Sequence, residues 1–166
     1  MAPRRAFLAG AVLPATAVFL TGCGFTLRRP PQLPFSTMAL AGFAPRSEVA
    51  AALKRELALV PVRIVEPADA QVVLDALEDR RQRSVVATTA AAQVREVQLR
   101  QRLRFRLRTP AGAELLPAAL IALSRDLSTS ESQVLAKELE EAQLFESMTA
   151  DIVQQVLRRL AAVRLP

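Results

Sequence analysis

The chain has no histidine, no tryptophan and no tyrosine, a single cysteine, and only five glycines in 166 residues. Each shortage excludes a class of function. Without histidine, a Ser-His-Asp or Cys-His nucleophile has no general base, and a zinc site of the Cys/His kind lacks its ligands. One cysteine cannot close an intramolecular disulfide. Gly10, Gly22 and Gly24 lie at or before position 24, so no glycine-rich loop remains to cradle a phosphate. Aromatic residues make up 4% of the chain, too few for the stacking platforms of single-strand nucleic-acid binders. No cofactor and no metal are expected, and no nucleic-acid partner. No catalytic set is expected either, because Asp75, Glu78, Asp79, Glu114 and Asp126 each have an arginine nearby and are accounted for as ion pairs.

What is present is an apolar fraction of 51% with 23% charged residues, the composition of one globular domain. Twenty-two Lys and Arg against 16 Asp and Glu leave a charge of +6 and a pI near 11.1.

The first segment has the pattern of an address. Met-Ala-Pro-Arg-Arg precedes an apolar run from Ala6 to Leu20, followed by Thr21-Gly22-Cys23. As a helix this run would span about 22 Å, short of the roughly 30 Å hydrocarbon core, and Pro14 interrupts it. An export signal over residues 1–22 is therefore expected rather than a membrane span. Leu20-Thr21-Gly22-Cys23 resembles the lipobox of bacterial lipoproteins, with Cys23 the lipidated residue. Arg4-Arg5 is also similar to a twin-arginine signal, and export by that route or by Sec is left open. Removing residues 1–22 takes away two arginines and no acid, so the mature charge is +4. Gly24 rather than Asp follows the cysteine, which in bacterial lipoproteins favours the outer membrane. Residues 23–36 carry Pro30, Pro31 and Pro34, which forbid a helix and favour a lipidated, extended tether.

The folded part is expected over residues 37–166. Thr37 to Phe43 is a short apolar strand. Ser47 can cap a helix carrying Val49, Leu53 and Leu57 on one stripe, closed by Pro61. A brief strand follows at Val62 to Val65, then an extended stretch from Val72 to Arg83. Val94 to Arg108 shows a period of two: Val97, Leu99, Leu103, Phe105 and Leu107 on one side, Glu96, Gln98 and five arginines on the other. Ser84 to Gln93 is the connecting loop, Thr109 to Gly112 a turn, and Glu114 to Arg125 the returning strand. A capping box of Ser130 and Gln133 starts a long helix whose stripe runs through Leu135, Leu139, Ala142, Phe145, Met148, Ile152, Val156 and Leu160. This order gives an α+β two-layer sandwich, with two helices on one face of a mostly antiparallel or mixed sheet and the other face wet.

The arginine ladder is the strongest functional signal after the lipobox. Arg100, Arg102, Arg104, Arg106 and Arg108 stand about 7 Å apart on one strand face. Like charges so spaced repel, so the face requires either neighbouring acids or an anionic ligand. Asp75, Glu78 and Asp79 on the preceding strand are the candidate partners, and a hairpin centred near Thr89 sets Glu78 against Arg100. A salt-bridged face and an anion-binding face both remain open. For an exported, lipid-anchored chain the anions at hand are lipopolysaccharide or phospholipid phosphates, which suit the planar guanidinium fork.

Three segments carry a family resemblance: Cys23-Gly24-Phe25-Thr26-Leu27-Arg28 after a lipobox, Val94-Arg95-Glu96-Val97-Gln98-Leu99 opening a strand, and Val134-Leu135-Ala136-Lys137 leading into an acidic helix that ends in Leu157-Arg158-Arg159-Leu160. Together they resemble LptE, the lipopolysaccharide-assembly lipoprotein family. The resemblance implies a two-layer α/β fold that plugs the outer-membrane β-barrel LptD, helps it assemble and binds lipopolysaccharide from the periplasmic side of the cell outer membrane. It also implies a lipopolysaccharide-binding role for Lys137. The family's second basic position falls in Val86 to Ala91, which has neither Arg nor Lys here. With Arg100, Arg102, Arg104 and Arg106, Lys137 completes the expected anion-binding set. The other class of function that fits is an outer-membrane lipoprotein adaptor of another envelope complex, with its basic face merely solvated.

Overall fold

The computed structural model describes residues 32–88, 90, 94–129 and 133–165. The export signal, Cys23, most of the tether and Ser130 lie outside the described residues. The elements follow the order β1 (Thr37–Ala41), α1 (Glu48–Leu57), β2 (Arg63–Ile64), β3 (Val72–Thr88), β4 (Val94–Arg108), β5 (Glu114–Ser128) and α2 (Val134–Ala161). One mixed sheet has the order β2-β1-β3-β4-β5. Strand β1 runs parallel to β2 and β3, whereas β3, β4 and β5 are antiparallel neighbours. The α+β arrangement expected from the alternation of patterns is therefore present.

Alternation along β4 separates the layers. Val97, Leu99, Leu103, Phe105 and Leu107 are fully buried. They pack with Leu74 of β3, Val49, Leu53 and Leu57 of α1, and Met148, Ile152, Val156 and Leu160 of α2 in two adjoining apolar clusters. Both helices thus cover one sheet face and leave the arginines on the other. Ser47 caps α1 as expected: its hydroxyl accepts a hydrogen bond from the Ala50 amide at 2.9 Å and donates one to Asp79 of β3.

Four expectations need correction. Strand β3 continues to Thr88, so Ser84 to Thr88 belong to the hairpin arm and not to its loop. The hairpin is centred nearer position 91: Glu78 faces Arg104, and Gln82 faces Arg100. Helix α2 begins at Val134 with Gln133 as its N-cap, without a side-chain capping bond, so Gln133 is not the third residue of a capping box. Its first turn holds Lys137 and no acid, and the charge opposing the positive helix end is offset by Glu140 one turn on. Finally, the apolar stripe of α2 is buried only from Met148 onward. Leu135 and Leu139 are 71% and 60% exposed.

Gly42 follows β1 with φ +76°, and a Cβ there would collide with the carbonyl oxygen of Ala76. Only glycine permits this approach, which brings the end of β1 against β3 immediately before Leu77, where the β3–β4 register shifts.

Candidate functional site: the basic sheet face

The register shift between Ala76 and Glu78 decides what the wet face contains. Leu77 is the extra residue, and beyond it side-chain parity on β3 is reversed. Glu78, Arg80 and Gln82 therefore share the face of Arg104, Arg102 and Arg100, their direct partners, while Asp79, Arg81 and Arg83 turn toward the helices. On β5 the opposing residues are Leu120, Ala122 and Ser124.

The ladder divides into two parts. At one end Asp75 accepts hydrogen bonds from Arg106 Nε at 3.0 Å and Arg108 Nε at 2.8 Å. Its side chain is only 13% exposed. Burial pushes the Asp75 carboxyl up, but the hydrogen bonds and charges of Arg108 and Arg106 together outweigh it and hold the group below its ordinary value. The same contact raises Arg108 above its ordinary value. Arg106 is thereby committed to a structural ion pair.

At the other end compensation fails. Arg102 meets Glu78 only at 3.9 Å. Arg100 Nε donates to Gln98 at 2.6 Å, a neutral partner. Among the described residues, Arg80, Arg100 and Arg104 form no ion pair with a carboxylate. Arg80 and Arg102 are directly opposed and Arg100 and Arg104 flank Arg102 along its strand, so four guanidinium groups with one weak counter-charge form a two-strand basic grid. Bidentate donors at such spacing can hold phosphate or carboxylate oxygens.

Of the five anion-site residues expected from sequence, Arg100, Arg102 and Arg104 come together in this grid, and Arg106 adjoins it but is held by Asp75. Lys137 is not part of it. It sits in the first turn of α2, in the helix layer behind the sheet, and donates to Glu140 at 2.8 Å. Arg80, which the sequence places on the neighbouring strand, joins the grid: with the hairpin centred near 91 it stands directly opposite Arg102. Among the described residues no group of three or more potential metal ligands occurs, and no helix is long and apolar enough to cross a membrane.

A two-layer α+β domain with one covered sheet face and one basic, open face defines the class. The family model described as LptE, lipopolysaccharide-assembly, matches residues 35–160. The chain belongs to the LptE family of lipopolysaccharide-assembly lipoproteins. It is similar to the solution structure of the uncharacterized lipoprotein B from Nitrosomonas europaea, with 29% identity, 84% of this chain and 91% of that chain covered, and a TM-score of 0.70. It shares its fold with a minor lipoprotein from Acinetobacter baumannii, at 22% identity, 81% and 100% coverage and a TM-score of 0.64. The same holds for the rare lipoprotein B from Shewanella oneidensis, at 23% identity, 76% and 94% coverage and a TM-score of 0.61. No curated protein sequence matches the chain.

Proposed function

We propose that the protein is an outer-membrane lipoprotein, anchored through Cys23 on the periplasmic side, that plugs the LptD β-barrel, assists its assembly and contacts lipopolysaccharide in transit to the outer leaflet. Family membership supports the assembly role. The observation that carries the contact is the grid of Arg80, Arg100, Arg102 and Arg104, whose charge the described acids leave largely uncompensated. Phosphates of lipopolysaccharide or acidic groups of a barrel wall supply the missing counter-charge. The lumen of a large outer-membrane barrel is polar, so it accepts a wet, charged sheet face that lipid would exclude. Arg106 contributes less, because its Nε already donates to Asp75 and only its terminal nitrogens remain for a ligand. Lys137 serves as a separate contact in the helix layer. The role is one of positioning and plugging, with no reaction catalysed.

The test is the double charge reversal Arg102→Glu/Arg104→Glu in the full chain, followed by co-purification from detergent-solubilised outer membrane and by lipopolysaccharide binding. Both side chains are exposed, so the fold should survive. Loss of either the barrel complex or lipopolysaccharide binding supports the assignment; wild-type levels of both would refute it.

A further inference from the structure

The helix layer is incomplete. Helix α1 has 10 residues and is about 15 Å long, whereas β3 has 17 and extends over about 56 Å. Beyond α1, the helix-facing side chains of Arg81, Arg83 and Val85 are therefore exposed on a face that is elsewhere buried. Between α1, α2 and this part of β3 lies a groove of about 790 Å³. Its apolar lining includes Ala52, Ala142, Phe145 and Val153. Along α2 the apolar surface continues past the groove: Leu135 and Leu139 lie seven and three residues before Ala142, near the same helix face, and are largely exposed.

The rim has a sign opposite to that of the molecule. Five glutamates line the groove against three arginines. Arg83 is paired with Glu141 at 3.1 Å. Arg81 donates to Thr149 Oγ1 at 2.8 Å and lies over the Phe145 ring at 5.1 Å. Among the described residues Glu48, Glu56, Glu138 and Glu146 form no ion pair, leaving four carboxylates against Arg55 and Arg81, neither of which pairs with an acid. Complementarity therefore selects an occupant with an apolar stripe for Phe145, Ala142 and Leu139 and cationic side chains for the flanking carboxylates. An anionic lipid fails the charge criterion.

We infer that this groove is a docking site for a basic amphipathic segment of a partner protein, which completes the helix layer over the far half of β3. The basic grid lies on the opposite sheet face, so the two surfaces can be engaged at once.

The test uses the full chain in detergent micelles and, as probes, a fluorescein-labelled 18-residue Leu/Lys amphipathic peptide and its Leu/Glu counterpart, with binding to empty micelles subtracted. Saturable binding of the Leu/Lys peptide is expected, and Glu138→Lys/Glu146→Lys, two exposed positions on α2, should weaken it by about tenfold or more. Ala142→Arg, which blocks the groove, should do the same, whereas Arg102→Glu/Arg104→Glu on the other face should leave it intact. Any of three results would overturn the inference: no binding above that of micelles, equal binding of the Leu/Glu peptide, or indifference to both groove variants. Concentration-dependent dimerisation abolished by Glu138→Lys/Glu146→Lys would also overturn it, by making a second copy the occupant.

Discussion

Arg80 on β3 stands directly opposite Arg102 on β4, on the sheet face that the helices leave uncovered. Two like charges at directly paired positions destabilise a sheet by a few tenths to about 1 kcal/mol. Arg80→Gln is therefore expected to raise stability by that amount at low ionic strength. The gain should shrink as salt shortens the Debye length to about 8 Å at physiological strength and below that at higher salt. Denaturant unfolding at two salt concentrations measures both effects. A variant less stable than wild type at low salt would mean that Arg80 has a favourable partner the register does not provide.

The same grid predicts a response to anions. Binding to the folded state alone stabilises by mass action, so inorganic pyrophosphate should raise the melting temperature of the wild-type chain more than an equal ionic strength of chloride. Arg100→Gln/Arg104→Gln removes two of the four guanidinium groups and should abolish most of the difference, whereas Arg106→Gln, already committed to Asp75, should leave it largely in place. Equal shifts in all three chains would remove the case for a local anion site.

Acid sensitivity should trace to Asp75. Its carboxyl is held below the ordinary value by Arg108 and Arg106 against the opposing effect of burial. A group with a lowered folded-state pKa contributes stability that is present above its unfolded value, about 3.9, and is lost as pH falls through the folded value. Asp75→Asn should cost about 1 to 3 kcal/mol at pH 7, by replacing a carboxylate shared by two arginines with a neutral amide that keeps one acceptor oxygen, and should flatten the decline of stability below about pH 4. Thermal unfolding between pH 2 and 7 gives both readings; an unchanged acid limb in the variant would exclude Asp75 as its source.

How much of this was legible in the sequence depends on whether a residue's surroundings are local. Val94 to Arg108 shows its two faces through alternation alone, and Ser47 shows its cap, because neighbours a few residues away determine both. Arg80 was legible as a basic residue beside the ladder, but its partner was not, because that depends on where the hairpin turns. Nor was it legible that Asp75 and Glu78 share one face, since the extra residue at Leu77 switches the side on which later residues of β3 lie. Gln101 interrupts the apolar row of β4, yet it is fully buried because Thr149, 48 residues away, satisfies its amide. Leu135 and Leu139 continue a regular stripe but are exposed, because periodicity states which residues share a helix face and not whether anything covers it.

The Gln101 amide donates to Thr149 Oγ1 at 3.0 Å in a core that is otherwise apolar. Removing one partner from such a pair leaves a buried polar group unsatisfied, at about 1 to 3 kcal/mol, whereas replacing both with apolar groups of similar shape is nearly neutral. Thr149→Val alone should therefore be destabilising, and Gln101→Leu/Thr149→Val should recover most of the loss. Arg81, the third member, is exposed and can turn its donors to water. Denaturant midpoints of the two single variants and the double variant test this; additive losses would show that the two residues contribute separately.

Lys137 and the basic grid offer a test of whether one anion site or two exists. Lys137 occupies the helix layer and donates to Glu140, while Arg104 points from the opposite sheet face. Residues without shared partners usually act additively to within about 0.5 kcal/mol, and residues contacting one ligand group usually do not. In a double-mutant cycle with Lys137→Ala and Arg104→Ala, lipopolysaccharide binding should therefore show additive losses, each with its own salt dependence. A coupling energy well above about 0.5 kcal/mol would place Lys137 and Arg104 on the same phosphate group and would require the ligand to bridge the two faces.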